Sequence, residues 1–205
     1  MIKKVFLTTA LVFCAAAAVM AFEVAGITVP DTYKENDTKL VLNGAGLRVV
    51  FGFQVYVGAL YLKQKSTDAK SIINADEMMA IRLQWRRSAP PYKIKEVYYK
   101  SFAVSTGAKE AKVYGPEHDY GPLTKEINTY MSWVAQKKAA KGHYWNNVYV
   151  PGEGTKVYLF DGEKETLMGT IKGLDFKKVL FTIWLGEDNV RNVSSDLKEQ
   201  MLGNN

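Results

Sequence analysis

Arg48 is the best candidate for chemistry in this sequence, with Gln54 and Tyr56 in phase with it. They occupy even positions of a β-rich run broken by glycines, Lys39–Leu62 (KLVLNGAGLRVVFGFQVYVGALYL). Successive side chains on a strand point to opposite faces. The odd positions Val49, Phe51, Phe53, Val55, Val57 and Ala59 are apolar, which assigns that face to a core. The even positions Arg48, Val50, Gly52, Gln54, Tyr56 and Gly58 are small or polar. A guanidinium stays charged at any working pH and grips a carboxylate through two parallel hydrogen bonds. With an amide and a phenol on the same face, it suits a cleft that receives a polar ligand head. The same pattern also suits a face turned to water or to a covering helix. One geometric condition follows. Arg48 and Tyr56 would stand roughly 26 Å apart on a straight strand rising ~3.3 Å per residue. They can share a headgroup only if the run folds near Gly52 into a hairpin. Otherwise Arg48 must work with a helix residue such as Tyr92.

Other chemistries find little support. His118 and His143 are far apart and lack a nearby His or Cys partner, whereas a catalytic zinc wants three protein ligands. No metal or other cofactor is expected. Ser101, Ser105 and Ser132 fall in helical stretches without a nucleophile-elbow motif. Gly44-Ala45-Gly46 lacks the third glycine of a dinucleotide fingerprint and opens a strand, not a helix. Asp76-Glu77, Asp161, Glu163 and Glu187-Asp188 sit at loops and element ends, as turn and capping residues do.

The elements that must position Arg48 follow from periodicity and turn residues. Phe22–Val29 reads as a strand closed by Pro30-Asp31, and Thr38–Asn43 as a second. Gly44-Ala45-Gly46 then reads as a turn before a long strand, Leu47–Lys63. A short helix over Thr67–Asn74 and a strand over Met78–Trp85 come next. Pro90-Pro91 starts a helix over Tyr92–Thr106, ended by Gly107. Leu123–Ala140 is amphipathic, with Ile127, Tyr130, Met131, Val134 and Ala135 on one face. Strands follow at Tyr144–Val150, Lys156–Asp161 and Thr166–Lys172. The chain closes with a helix over Phe176–Leu185, capped by Asp175 and Gly186, and another over Asp196–Leu202. Helices segregated from an antiparallel sheet make an α+β protein.

The first residues read as a secretory signal peptide. Lys3 and Lys4 precede an apolar, uncharged run from Val5 to Met20, and Val19-Met20-Ala21 offers a cleavage site after Ala21. Residues 1–21 are thus the leader and 22–205 a single domain, periplasmic or secreted, with no membrane span left after cleavage. Cys14, the sole cysteine, leaves with the leader, and Phe13 before it argues against a lipid-anchor motif. The remaining chain has no disulfide or thiol chemistry and must rely on an ordinary core. Hydrophobic content of 47% and aromatic content of 12% fit a globular protein. The net charge of +6 falls by two with Lys3 and Lys4, and no arginine stripe is interleaved with aromatics, so nucleic acid is not an expected partner.

Several segments together resemble the chalcone isomerase-like superfamily, and its bacterial secreted branch most. They are EVAGITVPDT (Glu23–Thr32), LVLNGAGLR (Leu40–Arg48), VYVGALYL (Val55–Leu62), STDA (Ser66–Ala69) and WLG (Trp184–Gly186). The resemblance implies an open-faced β-sandwich, a large antiparallel sheet covered by helices, with a ligand cleft between the layers. In plant chalcone isomerases the arginine matching Arg48 is catalytic. In the plastid fatty-acid-binding relatives a similar arginine holds the ligand carboxylate. By the same resemblance Tyr56 stands in place of a strand threonine, Tyr92 matches a helix tyrosine and Tyr99 replaces an asparagine. A threonine of the penultimate helix falls at Thr182, or at Ile183 with a one-residue shift. Amphipathic packing would equally account for Tyr92, Tyr98 and Tyr99.

The resemblance leaves three functions open. One is a non-catalytic binder of a small hydrophobic carboxylate, such as a fatty acid. The second is an isomerase closing a ring on a chalcone-like enone, with Arg48 stabilising the enolate. The third is a structural or interaction protein without a small ligand. Loss of the threonine and asparagine counterparts favours binding.

Overall fold

A computed structural model describes residues 22–187 and 195–204. The expected leader, residues 1–21, and Asp188 lie outside the described residues. The main sheet has seven strands: β3 (Thr32–Glu35), β4 (Thr38–Val50), β5 (Phe53–Leu62), β6 (Met79–Trp85), β7 (Tyr144–Val150), β8 (Gly154–Phe160) and β9 (Glu165–Ile171). They lie side by side in chain order, each antiparallel to its neighbour. A separate hairpin, β1 (Phe22–Val24) and β2 (Ile27–Val29), precedes them. Helices α1 (Ala69–Asn74), α2 (Pro91–Thr106), α3 (Thr124–Val134), α4 (Leu174–Leu185) and α5 (Ser195–Met201) complete the chain. This is the expected α+β, open-faced arrangement.

Two apolar layers sandwich the sheet. On the helix face Leu60, Ile81, Leu83 and Trp145 pack with Phe102, Tyr130, Phe176 and Trp184. On the opposite face Leu40, Tyr61, Ala80 and Val148 pack with Val29 of the small hairpin. Alternation along β6 divides these layers, Ile81 and Leu83 facing the helices and Ala80 the hairpin side. The sheet curls. β3 and β8 are separated by four strands, yet Lys156 Nζ and Tyr158 Oη of β8 both donate to Glu35 Oε1 of β3 at 3.0 Å. On the helix side the Lys177 ammonium donates to the carbonyls of Ile72, Ile73 and Ala75, each at 2.8 Å. It thereby ties α4 to the C-terminal end of α1.

Several local expectations are corrected. Phe22–Val29 is two strands because Ala25 and Gly26 turn at positive φ, 50° and 72°. β3 is an additional edge strand between Pro30-Asp31 and β4. Gly44-Ala45-Gly46 is the interior of β4 and not a turn. Its glycines seat α5: a Cβ on Gly44 would lie 2.1 Å from the Gln200 carbonyl oxygen, and one on Gly46 2.4 Å from Gln200 Oε1. The reversal comes later, at Phe51-Gly52, where φ is 48° and 78°. Positive φ at both central residues is what a tight hairpin matched to strand twist requires.

The third helix stops at Val134, short of Ala140, because Ala139 is taken by a bridge to Ala89. Asp175 lies inside the first turn of α4, whose cap position is Gly173. The odd positions of the long run do not form one core face. Phe51 is 97% and Phe53 59% exposed, and Val49 is exposed as well. They lie at and beside the β4–β5 turn.

Candidate ligand-binding cleft

The hairpin fold sets Arg48 directly opposite Tyr56 in the β4–β5 ladder. Cross-strand neighbours on one face have Cβ atoms only about 4.5–5.5 Å apart. The roughly 26 Å of an extended run is thereby abolished. A register shift follows at once, since Arg48 pairs with Tyr56 but Val49 with Gln54. Val55 is the extra residue of this bulge. A bulge breaks the two-residue period locally, so Val55 and Tyr56 both line the same cavity despite their opposite parity.

That cavity has a volume of about 440 Å³ and lies between the hairpin, α2 and α4, within the range of small-molecule sites. The hairpin contributes Arg48, Val50, Phe51, Val55 and Tyr56, and β6 contributes Trp85. One stripe of α2 contributes Ile94, Val97, Tyr98 and Ser101, and α4 contributes Ile183 and Trp184. Lys93 and Glu96 also line it, joined in a solvent-exposed ion pair at 2.8 Å. The interior is thus largely aromatic and aliphatic, with a cation against one wall.

Arg48 has no carboxylate within ion-pairing distance among the described residues. Among the described residues its Nη1 donates over a long 3.4 Å to the Val49 carbonyl. Partial burial lowers its pKa, and the neighbouring Tyr56 phenol opposes that shift. Tyr56 is buried, and burial raises its pKa, while the Arg48 charge and a hydrogen bond from Trp184 pull it down. Trp184 Nε1 donates to Tyr56 Oη at 3.1 Å. An indole can only donate, so the phenol accepts there and keeps its own proton for another acceptor. The Tyr98 hydroxyl and Trp85 Nε1 are buried without a hydrogen-bond partner among the described residues. The wall therefore offers a guanidinium and several neutral donors to a ligand's oxygen atoms.

Of the five residues singled out from the sequence, the structure brings Arg48 and Tyr56 together. Tyr92, in the first turn of α2, is 66% exposed and lies outside the cavity lining. Tyr99 is buried elsewhere, stacked on Tyr120 with ring centroids 5.8 Å apart. Adjacent helix residues point about 100° apart, from 3.6 residues per turn, and it is Tyr98 that turns to the cleft. Thr182 Oγ1 donates to the Lys178 carbonyl at 2.8 Å and lines a different cleft, beside α1 and α5. Ile183 takes the cavity position.

Trp85, Tyr98 and Trp184 also line the cavity and are not among those five. The stripe Ile94, Val97, Tyr98 and Ser101 has helical spacing and was open to discovery. Trp184 begins the WLG motif, but nothing in that motif indicates an indole N–H aimed at Tyr56. Among the described residues there is no cluster of three or more His, Cys, Asp or Glu side chains able to hold a metal.

Residues 21–203 match the sequence profile of the family described as chalcone isomerase-like. The chain belongs to that family. Among curated protein sequences nothing matches this chalcone isomerase-like chain. Among solved structures it is similar to the crystal structure of a fatty-acid binding protein from Arabidopsis thaliana. The TM-score is 0.64 at 15% identity, over 87% of this chain and 93% of the plant one. At that identity the likeness is one of fold, and both chains share it over nearly their whole lengths.

Proposed function

We propose that this chalcone isomerase-like protein is an exported, non-catalytic carrier of a small amphipathic carboxylate such as a fatty acid. One observation carries the reading. Arg48, without a carboxylate partner among the described residues, stands opposite Tyr56 at an apolar cavity. The guanidinium and the free phenol proton receive the carboxylate, and the cleft between α2, α4 and the hairpin takes the hydrocarbon. The plant fatty-acid binding protein of similar fold supports the ligand class. Next to the Arg48–Tyr56 pair the wall is valine, isoleucine, tryptophan and tyrosine. Tyr56 and Tyr99 stand where the plant isomerase pattern has smaller polar side chains, which favours holding over turnover. Lys3-Lys4, the apolar run and the Ala21 site support export to the periplasm or beyond.

The test is mass spectrometry of what co-purifies with the exported protein, followed by titration of long-chain fatty acids. A bound aliphatic carboxylate, released by Arg48→Ala, is the expected result. Absence of any lipid, together with no measurable titration, rejects the reading. N-terminal sequencing of the same sample should begin at Phe22, and retention of Lys3 rejects cleavage.

A further inference from the structure

The mouth of the cleft carries an unusual concentration of exposed apolar side chains. Phe51 sits at the apex of the β4–β5 turn, 97% exposed, and still forms part of the cavity rim. Val49 and Phe53 flank it on the same hairpin, and Val97 and Tyr92 are exposed on α2. Cations are set among them. The Arg87 guanidinium lies over the Phe53 ring at 4.5 Å, and the Lys93 ammonium lies 5.7 Å from the centroid of Tyr92. The Arg86 amide bonds the Val55 carbonyl, which holds Arg86 and Arg87 beside the hairpin base. Glu96 is the one carboxylate among the described lining residues, and Lys93 already pairs with it.

We propose that this hairpin tip docks the protein on an anionic lipid bilayer. Aromatic rings with arginine and lysine beside them are what the bilayer interface accepts: rings at headgroup level, cations toward anionic headgroups. The shape separates a bilayer from a protein partner. Phe51 projects from a two-residue turn, and a single convex ring fits a fluid interface without a preformed socket. A protein partner would need a flat or grooved match. Because Phe51 belongs to both the tip and the cavity rim, an acyl chain leaving the bilayer would pass into the cleft without crossing water. That last use rests on the carrier reading above, whereas the docking itself does not.

The experiment is flotation of the protein, purified in its exported form without added ligand, with vesicles of phosphatidylcholine alone or phosphatidylcholine mixed with phosphatidylglycerol. Binding is expected to the mixed vesicles, weakened by salt, and little to the neutral ones. Phe53→Glu combined with Arg87→Glu should lower partition at least tenfold. The same variant should bind fatty acid in solution as the wild type does, since neither residue lines the cavity. If that variant melts early, Phe51→Ser alone carries the vesicle comparison. No binding to the mixed vesicles, or equal binding by wild type and variants, overturns docking. So does capture of a protein partner through the tip without vesicle binding. Vesicle binding with no fatty-acid titration would instead sink the carrier reading and leave docking standing.

Discussion

Trp184 Nε1 donates a hydrogen bond to Tyr56 Oη at 3.1 Å, joining α4 to β5 under the cavity. The bond fixes the phenol beside Arg48 and settles which way its proton is free to go. It also couples the site to the core, because the Trp184 indole is itself fully buried.

Tyr56→Phe therefore does two things at once. It removes a donor from the cavity, and it leaves a buried indole N–H without its acceptor. An orphaned buried donor costs about 1–3 kcal/mol. The expected outcome is a destabilisation of that size in urea melts, along with weaker fatty-acid binding. Unchanged stability would show that the Trp184 bond is not made in solution.

Arg48→Ala should behave differently. The guanidinium is partly exposed and carries no ion pair among the described residues, so melting should barely change. A lost charge-assisted hydrogen bond costs about 1.5–3 kcal/mol, or roughly ten- to a hundred-fold in affinity. Titration of long-chain fatty acids into both proteins checks this. Equal affinities in two equally folded proteins would eliminate Arg48 as the anchor.

Gly44→Ala tests the seat of α5. The added methyl would meet the Gln200 carbonyl and the Met201 carbonyl, backbone atoms of α5 that cannot step aside as a flexible side chain can. The helix must lift, with a loss of at least about 1–3 kcal/mol, the ordinary cost of overpacking. Thermal melts and protease nicking near the C-terminus report it, and a wild-type melt with no new cleavage would refute it.

Alkaline pH should unfold the protein steeply. Burial pushes the Tyr61 phenol up to about 12, and it raises Tyr56, Tyr98 and Tyr130 as well. An unfolded tyrosine ionises near pH ~10. Above that pH the unfolded chain releases protons that the folded chain retains, so stability falls as pH rises toward the folded values. Each such tyrosine removes about 1.4 kcal/mol per pH unit in that window. Below pH ~10 these groups contribute no slope. Urea melts at intervals across this range, read beside tyrosinate absorbance, check the sign. Constant stability to pH ~12 would contradict it.

Chalcone cyclisation should be negligible. By resemblance to the plant enzymes, Tyr56 fills a position where a smaller polar side chain stands, and Tyr99 lies outside the cleft on Tyr120. Loss of the visible absorbance of a hydroxylated chalcone, followed with pure protein, should match the spontaneous rate. A far greater rate that vanishes in Arg48→Ala would establish the isomerase.

Much of this molecule is legible in local sequence alone. The α+β class, the family motifs from Glu23 to Gly186 and the limits of α2 between its prolines and Gly107 all follow from local pattern. Local pattern is reliable where one element's own turns and periodicity decide its state. The condition that the run fold near Gly52 was also legible, as plain strand geometry.

Tertiary structure decided what depends on residues distant in sequence. Gly44-Ala45-Gly46 reads locally as a turn, and only the approach of Gln200 explains why small residues occupy a strand there. Even-odd alternation failed at Val55 because a bulge inserts one residue into β5, and its place depends on pairing with β4. Tyr98 and Tyr99 are alike in sequence, and the rotation of α2 against α4 selects the first for the cleft. Trp184 reaches Tyr56 across 128 residues, a contact that no periodicity encodes. Residue types and their order supply the groups. Their meeting in one cavity came from the pairing of β4 with β5 and the packing of α2 and α4 upon them, because cross-strand and interhelical neighbours are set by register and burial, not by distance along the chain.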